Sequence, residues 1–421
     1  MNVSKDSRRR SPRWKWGLVA ALAGVCLAGG LWLTRGRLDR REAEVAEALV
    51  ADALPGRVVT KPMQGWSVAY SPDGKQIAVG VGRPHARGEL QLWDAASGKL
   101  RARSKERRGV ASVAFSPDGL LVAGCNWDDV VKIHRVDTLD VTVTIPLERL
   151  GKLAFSPDGK TLATAITHRV IGPETAANVT LWEVATGNET LRCEGELVHI
   201  HCVGFSPDGK LVAAGGVAVD RRDGLSPDAK PLAGDGQGNV VVGRVICWDV
   251  ATGEQALVLE GEGGSVVALA FSPDGATMAT GGTDKMVRLW DIASGDVKKT
   301  LEGHEDRVES IAFSPDGTML ATGSQDHTAM LWDIEAGEPL ARFVADTESV
   351  RSLAFSPDGR TLVTVGREGS PKLWDIAKPR ESGAFGPVAV LTEPVLDLAE
   401  AGRARAARME ARLTLDFPEQ F

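Results

Sequence analysis

Two histidines separated by one residue, His199 and His201, form the pair in this sequence most readily associated with metal chemistry. Side chains at positions i and i+2 of a β-strand lie on the same face, so both imidazoles could ligate one zinc ion. A zinc site needs further protein ligands, and no third one is evident from the sequence. We therefore expect a pair of hydrogen-bonded histidines rather than a metal site.

The other chemistry-bearing patterns are incomplete. The segment Asp235–Asn239 (DGQGN) has the look of a calcium loop but lacks the full ligand set and the closing Glu. The five cysteines include no CxxC pair, which predicts buried free thiols. A GxSxG elbow, an HExxH helix and a phosphate-binding loop are all missing. We therefore predict no cofactor, no metal ion and no enzymatic activity.

The charge of the chain is unevenly distributed. Residues 1–41 hold ten Lys/Arg and two Asp/Glu, a net charge of +8, so the remainder carries −15 of the total of −7. Nucleic-acid binding depends on clustered Lys and Arg that contact phosphates. An acidic body therefore predicts that nucleic acid is not a partner.

An apolar segment near the N-terminus predicts a membrane anchor. Residues 14–34 (WKWGLVAALAGVCLAGGLWLT) would span about 31 Å as a helix at ~1.5 Å per residue, which is long enough to cross a membrane. A cleaved signal peptide is the alternative, but its apolar region is usually shorter. We predict a basic segment over 1–13, a transmembrane helix over 14–34 and a helical linker over 35–56. More Lys and Arg precede the span than follow it, which predicts a cytoplasmic N-terminus and an extracytoplasmic body.

One five-residue motif recurs along the rest of the chain. FSPDG occurs six times and YSPDG once, beginning at residue 70. Ser, Pro, Asp and Gly suit the four positions of a tight turn, and apolar stretches flank each copy, so each unit begins as strand, turn, strand. A third strand follows and ends in a Trp-acid pair in six units, whereas unit two has Ile133-His134-Arg135 in this position. A fourth short strand completes each unit, and the turn-to-turn period is 42 residues between Pro273, Pro315 and Pro357.

Such a period with four strands per unit predicts the blades of a β-propeller. In its Trp-Asp pairs the sequence resembles the WD-repeat β-propeller family. The resemblance implies an all-β fold, a seven-bladed propeller of four-stranded antiparallel blades over residues 57–391. The transmembrane helix predicted from the apolar segment precedes it. It also implies that a strand from the far end of the chain closes the ring. Residues 57–61 (RVVTK) are the preferred candidate for that strand, and residues 387–391 (PVAVL) are the rival.

The same resemblance implies a buried hydrogen-bonded tetrad in each blade, made of a His, a Ser or Thr, an Asp and the Trp. Only unit six has the full set. Its members are His304, Asp326, Trp332 and a hydroxyl from Thr322 or Ser324, of which we take Ser324. The family uses these residues for structure, so we do not assign them to a functional site.

Insertions distinguish three units from the others. From the Pro of the turn to the Trp position, units two, five, six and seven span 17 residues, whereas units one, three and four span 21, 25 and 41. All the extra residues fall between strands two and three, and insertions on one side of a repeat protein commonly mark its binding face. The candidate binding residues in these segments are Arg83, His85, Arg87, His168, Arg169, Asp220, Arg221, Arg222, Asp223 and Asp235. Drift-tolerant loops without function are the alternative.

The tail over residues 392–421 predicts a helix with a weak apolar stripe that begins at Val395. Packing on the acidic propeller is its simplest use, and docking to a partner or to a second copy is the alternative. Ala20, Gly24 and Ala28 form a small-residue stripe in the membrane span that could also pair two copies.

The most economical function is a membrane-tethered WD-repeat scaffold that mediates protein–protein interactions through loops on one face of the propeller. The alternatives are an exported propeller that senses a peptide or glycan and, less favoured, an enzyme that works in the central channel. The family resemblance carries much of this preference, because fold alone does not establish function.

Overall fold

A computed structural model of the chain describes residues 63–149, 151–166, 178–220, 240–261, 264–346, 348–367, 369–376 and 389–390. These residues form seven four-stranded antiparallel sheets, each built from four strands that are consecutive in the chain. The predicted all-β, seven-bladed propeller is therefore confirmed. The predicted segments 1–13, 14–34 and 35–56 and the tail over 392–421 lie outside the described residues. Within the described part, no helix is long and apolar enough to cross a membrane.

We number the strands β1 to β28 along the chain. The first strands of the seven blades are β1 Gly65–Tyr70, β5 Val110–Phe115, β9 Gly151–Phe155, β13 Leu197–Phe205, β17 Val266–Phe271, β21 Val308–Phe313 and β25 Val350–Phe355. The second strands are β2 Gln76–Arg83, β6 Leu121–Asn126, β10 Thr161–Ile166, β14 Leu211–Asp220, β18 Thr277–Gly282, β22 Met319–Ser324 and β26 Thr361–Gly366. The third strands are β3 Ala86–Asp94, β7 Val130–Arg135, β11 Val179–Glu183, β15 Val240–Asp249, β19 Val287–Asp291, β23 Thr328–Asp333 and β27 Lys372–Asp375. The fourth strands are β4 Leu100–Glu106, β8 Val141–Pro146, β12 Glu189–Cys193, β16 Gln255–Glu260, β20 Val297–Leu301, β24 Pro339–Val344 and β28 Ala389–Val390.

The repeated SPDG motif forms the turn between the first two strands of every blade. In each copy the Ser hydroxyl donates to the Asp carboxylate at 2.5–2.7 Å, and the Gly lies in the left-handed region with φ near 70°. Hydrogen bonds from Ser and from the backbone lower the pKa of each of these Asp carboxyls. The turns also touch one another, because a Cβ on each Gly would lie 3.4–3.5 Å from the Pro of the preceding blade. We call the side of the ring that carries these turns the turn face.

The core consists of seven apolar clusters, one at each junction between neighbouring blades. In six blades the Trp of the third strand packs on the preceding blade. Trp332 of blade six, for example, lies among Ala279, Leu289 and Leu301 of blade five. In blade two His134 takes this position with 1% of its surface exposed, and burial lowers the pKa of its imidazole. Large apolar areas removed from water at each junction hold the blades face to face.

Ring closure differs from the preferred expectation. The fourth strand of blade seven is Ala389–Val390, which pairs with β27 through Leu373 opposite Ala389. The preference for residues 57–61 was therefore wrong, and the rival segment 387–391 contains the strand. The outer edge of blade seven needs only a short apolar segment, because only two residues pair with β27 there.

Side chains from blades one and seven close the ring. Tyr70 and Thr361 share a hydrogen bond of 3.0 Å between their hydroxyls, and the Ser352 hydroxyl accepts from the Val68 backbone N–H at 3.1 Å. On the turn face, Gly74 packs against Pro357 as every other turn packs on its neighbour. Blade seven thus meets blade one through the same face-to-face contacts that join the other blades.

Four of the five cysteines lie in the described part of the chain and are free thiols, as predicted. Burial raises the pKa of the Cys125, Cys202 and Cys247 thiols to about 12 and that of Cys193 to about 11. These thiols are therefore protonated near neutral pH and behave as small apolar core residues.

Candidate binding face

The second and third strands of each blade meet on the side opposite the turn face, and we call this side the hairpin face. The insertion in blade one lengthens β2 and β3 themselves, so residues 80–90 form a hairpin whose turn is at Pro84 and His85. Pairing extends from Gln76 opposite Asp94 to Arg83 opposite Ala86, with an irregularity between Val81 and Arg83. In blade four the same lengthening extends β14 and β15 to ten residues each, with Asp220 opposite Val240.

The candidate binding residues fall on these projections or outside the described residues. Arg83, His85 and Arg87 lie at the tip of the blade-one hairpin and are exposed. Asp220 ends the second strand of blade four. The remaining candidates lie outside the described residues: His168, Arg169, Arg221, Arg222, Asp223 and Asp235. Their role in binding stays a prediction.

The polar tetrad of blade six is present, but Thr322 supplies its hydroxyl rather than Ser324. The Trp332 indole N–H donates to Thr322 Oγ1 at 2.9 Å, and Thr322 Oγ1 lies 2.7 Å from His304 Nε2. His304 Nδ1 lies 2.9 Å from Asp326 Oδ2. Trp can only donate and an ionised Asp can only accept, so the hydrogen bonds run from Trp332 through Thr322 and His304 to Asp326.

Strand register explains the correction. Leu320 lies opposite Trp332, so the hydroxyl two residues further along, Thr322, is the one within reach of the indole. Ser324 lies two residues after Thr322. Its hydroxyl instead donates to the Asp306 carbonyl at 3.0 Å and accepts from the Asp326 N–H at 3.0 Å. The repeat itself carried this signal, because Thr164, Thr280 and Thr364 accept from the Trp of their own blades in the same way.

Asp326 is the anionic end of this tetrad. Burial acts to raise the pKa of its carboxyl, but hydrogen bonds from His304, from Thr328 and from the Glu305 backbone outweigh burial and hold that pKa well below the usual range. The carboxylate is therefore ionised at neutral pH. Every polar atom of the tetrad has a partner, which fits a structural role rather than an open site.

Other blades replace the tetrad with different contacts. At the junction of blades one and two, the buried Glu106 carboxylate at the end of β4 accepts from Asn126 at 2.8 Å and from Lys132 at 2.6 Å, beside His134. In blade four the Trp248 indole donates to the Glu194 carbonyl at 2.8 Å. These contacts satisfy buried polar groups within single blade junctions.

The central channel opens on the hairpin face into a cavity of about 240 Å³. We call this cavity the channel mouth; the residues that matter most for its chemistry are Trp66, Trp127, Lys152, His201, Arg307 and Arg351. First strands of different blades supply most of them. One carboxylate, Glu309, also lines the cavity and accepts from Arg307 at 2.6 and 2.8 Å.

Aromatic contacts organise one side of the channel mouth. The Arg351 guanidinium lies 3.7 Å from the ring centroid of Trp66, within cation–π distance. Trp66 meets Trp127 edge to face at 5.3 Å between ring centroids. The Trp66 indole N–H donates to the Gly82 carbonyl at 2.8 Å, which ties the channel mouth to the base of the blade-one hairpin.

His199 and His201 lie near this cavity as a stacked pair, with ring centroids 6.4 Å apart. Burial, reinforced by the other imidazole and by the charges of Lys152 and Arg307, lowers the pKa of His201 to about 4, so this imidazole is neutral at physiological pH. Among the described residues, no group of three or more His, Cys, Asp or Glu side chains is arranged to hold a metal ion. The calcium-like segment Asp235–Asn239 lies outside that part of the chain.

The sequence reading missed the channel mouth, although the repeat contains a signal for it. Trp66, Ala111, His201, Val267, Glu309 and Arg351 each stand four residues before the Phe or Tyr of their SPDG turn. In blade three that place is Gly151, and Lys152 follows it. An alignment of the units on their turns therefore collects the channel-lining positions, but only closure of the ring brings them together.

A family model for the WD domain, G-beta repeat, matches residues 99–135, 190–223, 253–291, 295–333 and 337–375, somewhat less than half of the chain. The chain is 31% identical over 101 residues to apoptotic protease-activating factor 1 of Danio rerio, covering 23% of this chain and 7% of the relative. It is 27% identical over 165 residues to eukaryotic translation initiation factor 3 subunit I of Danio rerio, and the match covers 36% of this chain and 47% of the relative. A WD repeat-containing protein of Synechocystis is 31% identical over 153 residues, and the match covers 35% of this chain and 40% of the relative.

The chain thus spans less than half the length of each of these relatives, and the likeness concerns their repeats. The matched segments include strands of all seven blades of the ring described above. The five matched repeats and the ring of seven four-stranded blades are features that this chain shares with WD-repeat propellers.

Proposed function

We propose that this protein is a membrane-tethered scaffold that binds other proteins through the hairpin face of its propeller. WD-repeat propellers typically serve as scaffolds for protein–protein interactions. The apolar segment over residues 14–34 supports a single-pass anchor with the N-terminus in the cytoplasm and the propeller outside it. In this proposal the propeller has no catalytic role and does not bind nucleic acid, and pairing of two copies through the anchor or the tail is optional.

The observation that carries the proposal is the concentration of irregular features on one face. The turn face repeats the same short turn seven times, with the same hydrogen bonds. The hairpin face instead carries the lengthened second and third strands of blades one and four and the channel mouth. Recognition of one partner requires a surface that is not repeated, so the hairpin face is the better candidate.

The blade-one hairpin provides a direct test. Simultaneous replacement of Arg83, His85 and Arg87 by Ala should weaken partner binding by at least about tenfold, because these exposed side chains stand at the tip of a rigid projection. Partners are captured on the full chain from detergent extracts of the native membrane and quantified by mass spectrometry. The matched control replaces Lys75, Lys160 and Lys210, which are exposed on the turn face. Equal loss in both variants, or no loss in either, would contradict the assignment of the binding face.

The anchor is tested separately. Replacement of Leu22 and Leu27 by Arg should release most of the chain from membranes washed with alkaline carbonate, because each charge at the centre of a span costs roughly 2.5–3.5 kcal/mol. Replacement of the same two residues by Ala should leave the chain in the membrane. Cleavage of the propeller by protease added to intact cells tests its extracytoplasmic side. A wild-type chain that carbonate washes off the membrane would refute the tether.

A further inference from the structure

The channel mouth carries positive charge that the protein itself does not neutralise. Three cationic side chains, Lys152, Arg307 and Arg351, line the cavity together with a single carboxylate, Glu309, which is already bound to Arg307. Within the described residues, Lys152 and Arg351 have no carboxylate partner at ion-pair distance. Glu309, Asp346 and Glu348 act on Arg351 only from beyond ion-pair distance, and Arg367 opposes them. Glu309 also acts on Lys152 from beyond ion-pair distance. The balance of the lining therefore favours an anion.

The environment of Lys152 points the same way. Its side chain is open to the solvent of the channel, yet the first strands of the propeller surround it. This confinement lowers the pKa of Lys152, and the charge of Arg351 adds to the effect. An anion bound beside the ammonium group would offset both influences.

The cavity also offers uncharged recognition groups. Trp66 and Trp127 both line the cavity. Trp66 and Trp127 form an aromatic wall beside Arg351. A volume of about 240 Å³ is smaller than the roughly 300–1,000 Å³ of typical small-molecule pockets. The site therefore suits one small acidic group with an aliphatic stem that lies along the indoles.

We propose that the channel mouth binds the carboxylate of an Asp or Glu side chain that a partner protein inserts along the channel axis. Lys152 and Arg351 contact the carboxylate, and the indoles of Trp66 and Trp127 cover its methylene groups. The proposal rests on the scaffold function, because it names the chemistry by which a partner on the hairpin face is held. The small volume and the acidic body of the chain disfavour a polyanion such as nucleic acid.

A pair of synthetic peptides tests the proposal. Both are short chains of Gly and Ser with blocked ends, and they differ only in a central Glu or Gln. Isothermal titration calorimetry with the full chain in a neutral detergent at low ionic strength measures their binding. The Glu peptide should bind at least about tenfold more tightly than the Gln peptide, because a hydrogen bond to a charged group is stronger than one between neutral groups. Equal binding of the two peptides, or no binding of either, would overturn the proposal.

Variants assign the effect to the cavity. Lys152→Met keeps the aliphatic stem and should remove most of the preference for Glu. Lys160→Met, an exposed Lys of the same blade on the turn face, should leave it unchanged. Glu309→Gln removes the only carboxylate of the lining and should tighten binding of the Glu peptide several-fold. A preference that survives Lys152→Met, or a loss of binding in Glu309→Gln, would show that the carboxylate binds elsewhere.

Further measurements distinguish this inference from a phosphate site and from the proposed binding face. Inorganic phosphate should compete with the Glu peptide no better than acetate does; stronger competition would make this a phosphate site and overturn the carboxylate assignment. If the hairpin variant abolishes partner capture while the peptides do not distinguish Glu from Gln, the scaffold function stands and this inference fails. If the peptides discriminate but capture is unaffected by the hairpin variant, the carboxylate site stands and the proposed binding face fails.

Discussion

Replacement of Trp332 by Ala is expected to lower the free energy of unfolding by about 3–5 kcal/mol, the range for truncation of a large buried aromatic side chain. Only 1% of the Trp332 surface is exposed, and the indole fills the junction between blades five and six. Truncation would leave a cavity between the sheets of blades five and six. These sheets cannot move closer to fill it, because each also packs against its other neighbour in the ring. Urea unfolding of the full chain, followed by far-ultraviolet circular dichroism, measures the loss.

Trp182 of blade three is the matched control for this effect. It occupies the same position of the repeat and donates to Thr164 at 2.8 Å, as Trp332 donates to Thr322, but part of its surface is exposed. Solvent can fill the space that its truncation leaves, so Trp182→Ala should cost about 2 kcal/mol or less. A loss for Trp332→Ala no greater than that for Trp182→Ala would show that burial at the blade junction is not what the indole contributes.

The second large effect is expected at Thr322. Thr322→Val keeps the shape of the side chain but leaves the Trp332 N–H and His304 Nε2 without their shared partner. Each buried polar group left unpaired costs roughly 1–3 kcal/mol, so the variant should lose about 2–5 kcal/mol of stability. The same unfolding measurement checks this value.

Ser324→Ala provides the comparison that decides between the two hydroxyls. Ser324 is itself buried, but its partners, the Asp306 carbonyl and the Asp326 N–H, are backbone groups of residues that are exposed or partly exposed, which limits the cost of losing the hydroxyl. We expect a loss of about 1 kcal/mol. If Ser324→Ala proved as damaging as Thr322→Val, the assignment of the tetrad hydroxyl to Thr322 would be wrong.

The repeat made most of the fold predictable because its determinants are local. The dihedral preferences of Ser, Pro, Asp and Gly specify each turn within four residues, and alternation of side chains specifies the buried faces of the strands beside it. The Trp of the third strand follows the turn at a constant distance in the regular blades. The turn motif recurs seven times, so the prediction made for one unit applies to each of the others and gives the number of blades.

Contacts between distant parts of the chain were not predictable in the same way. The choice between residues 57–61 and 387–391 as the closing strand depends on which apolar segment reaches the outer edge of blade seven, and both have strand-like composition. The choice between Thr322 and Ser324 depends on the register of β22 against β23, where a shift of two residues keeps the same face but changes the partner. The conversion of Gly80–Leu90 into a hairpin depends on continued pairing beyond the usual strand length.

By itself, the amino-acid order determined the turns, the strand alternation, the blade count and the position of each junction Trp, because residues close together in the chain decide all of these. Only the tertiary structure decided which strand completes blade seven and which hydroxyl joins the tetrad. It also gathered Trp66, Lys152 and Arg351 at one end of the channel, although these residues are separated by up to 285 positions. A closed ring places equivalent positions of every repeat around one axis, so a site arises from residues that share an offset in the repeat and have no local relation in the sequence.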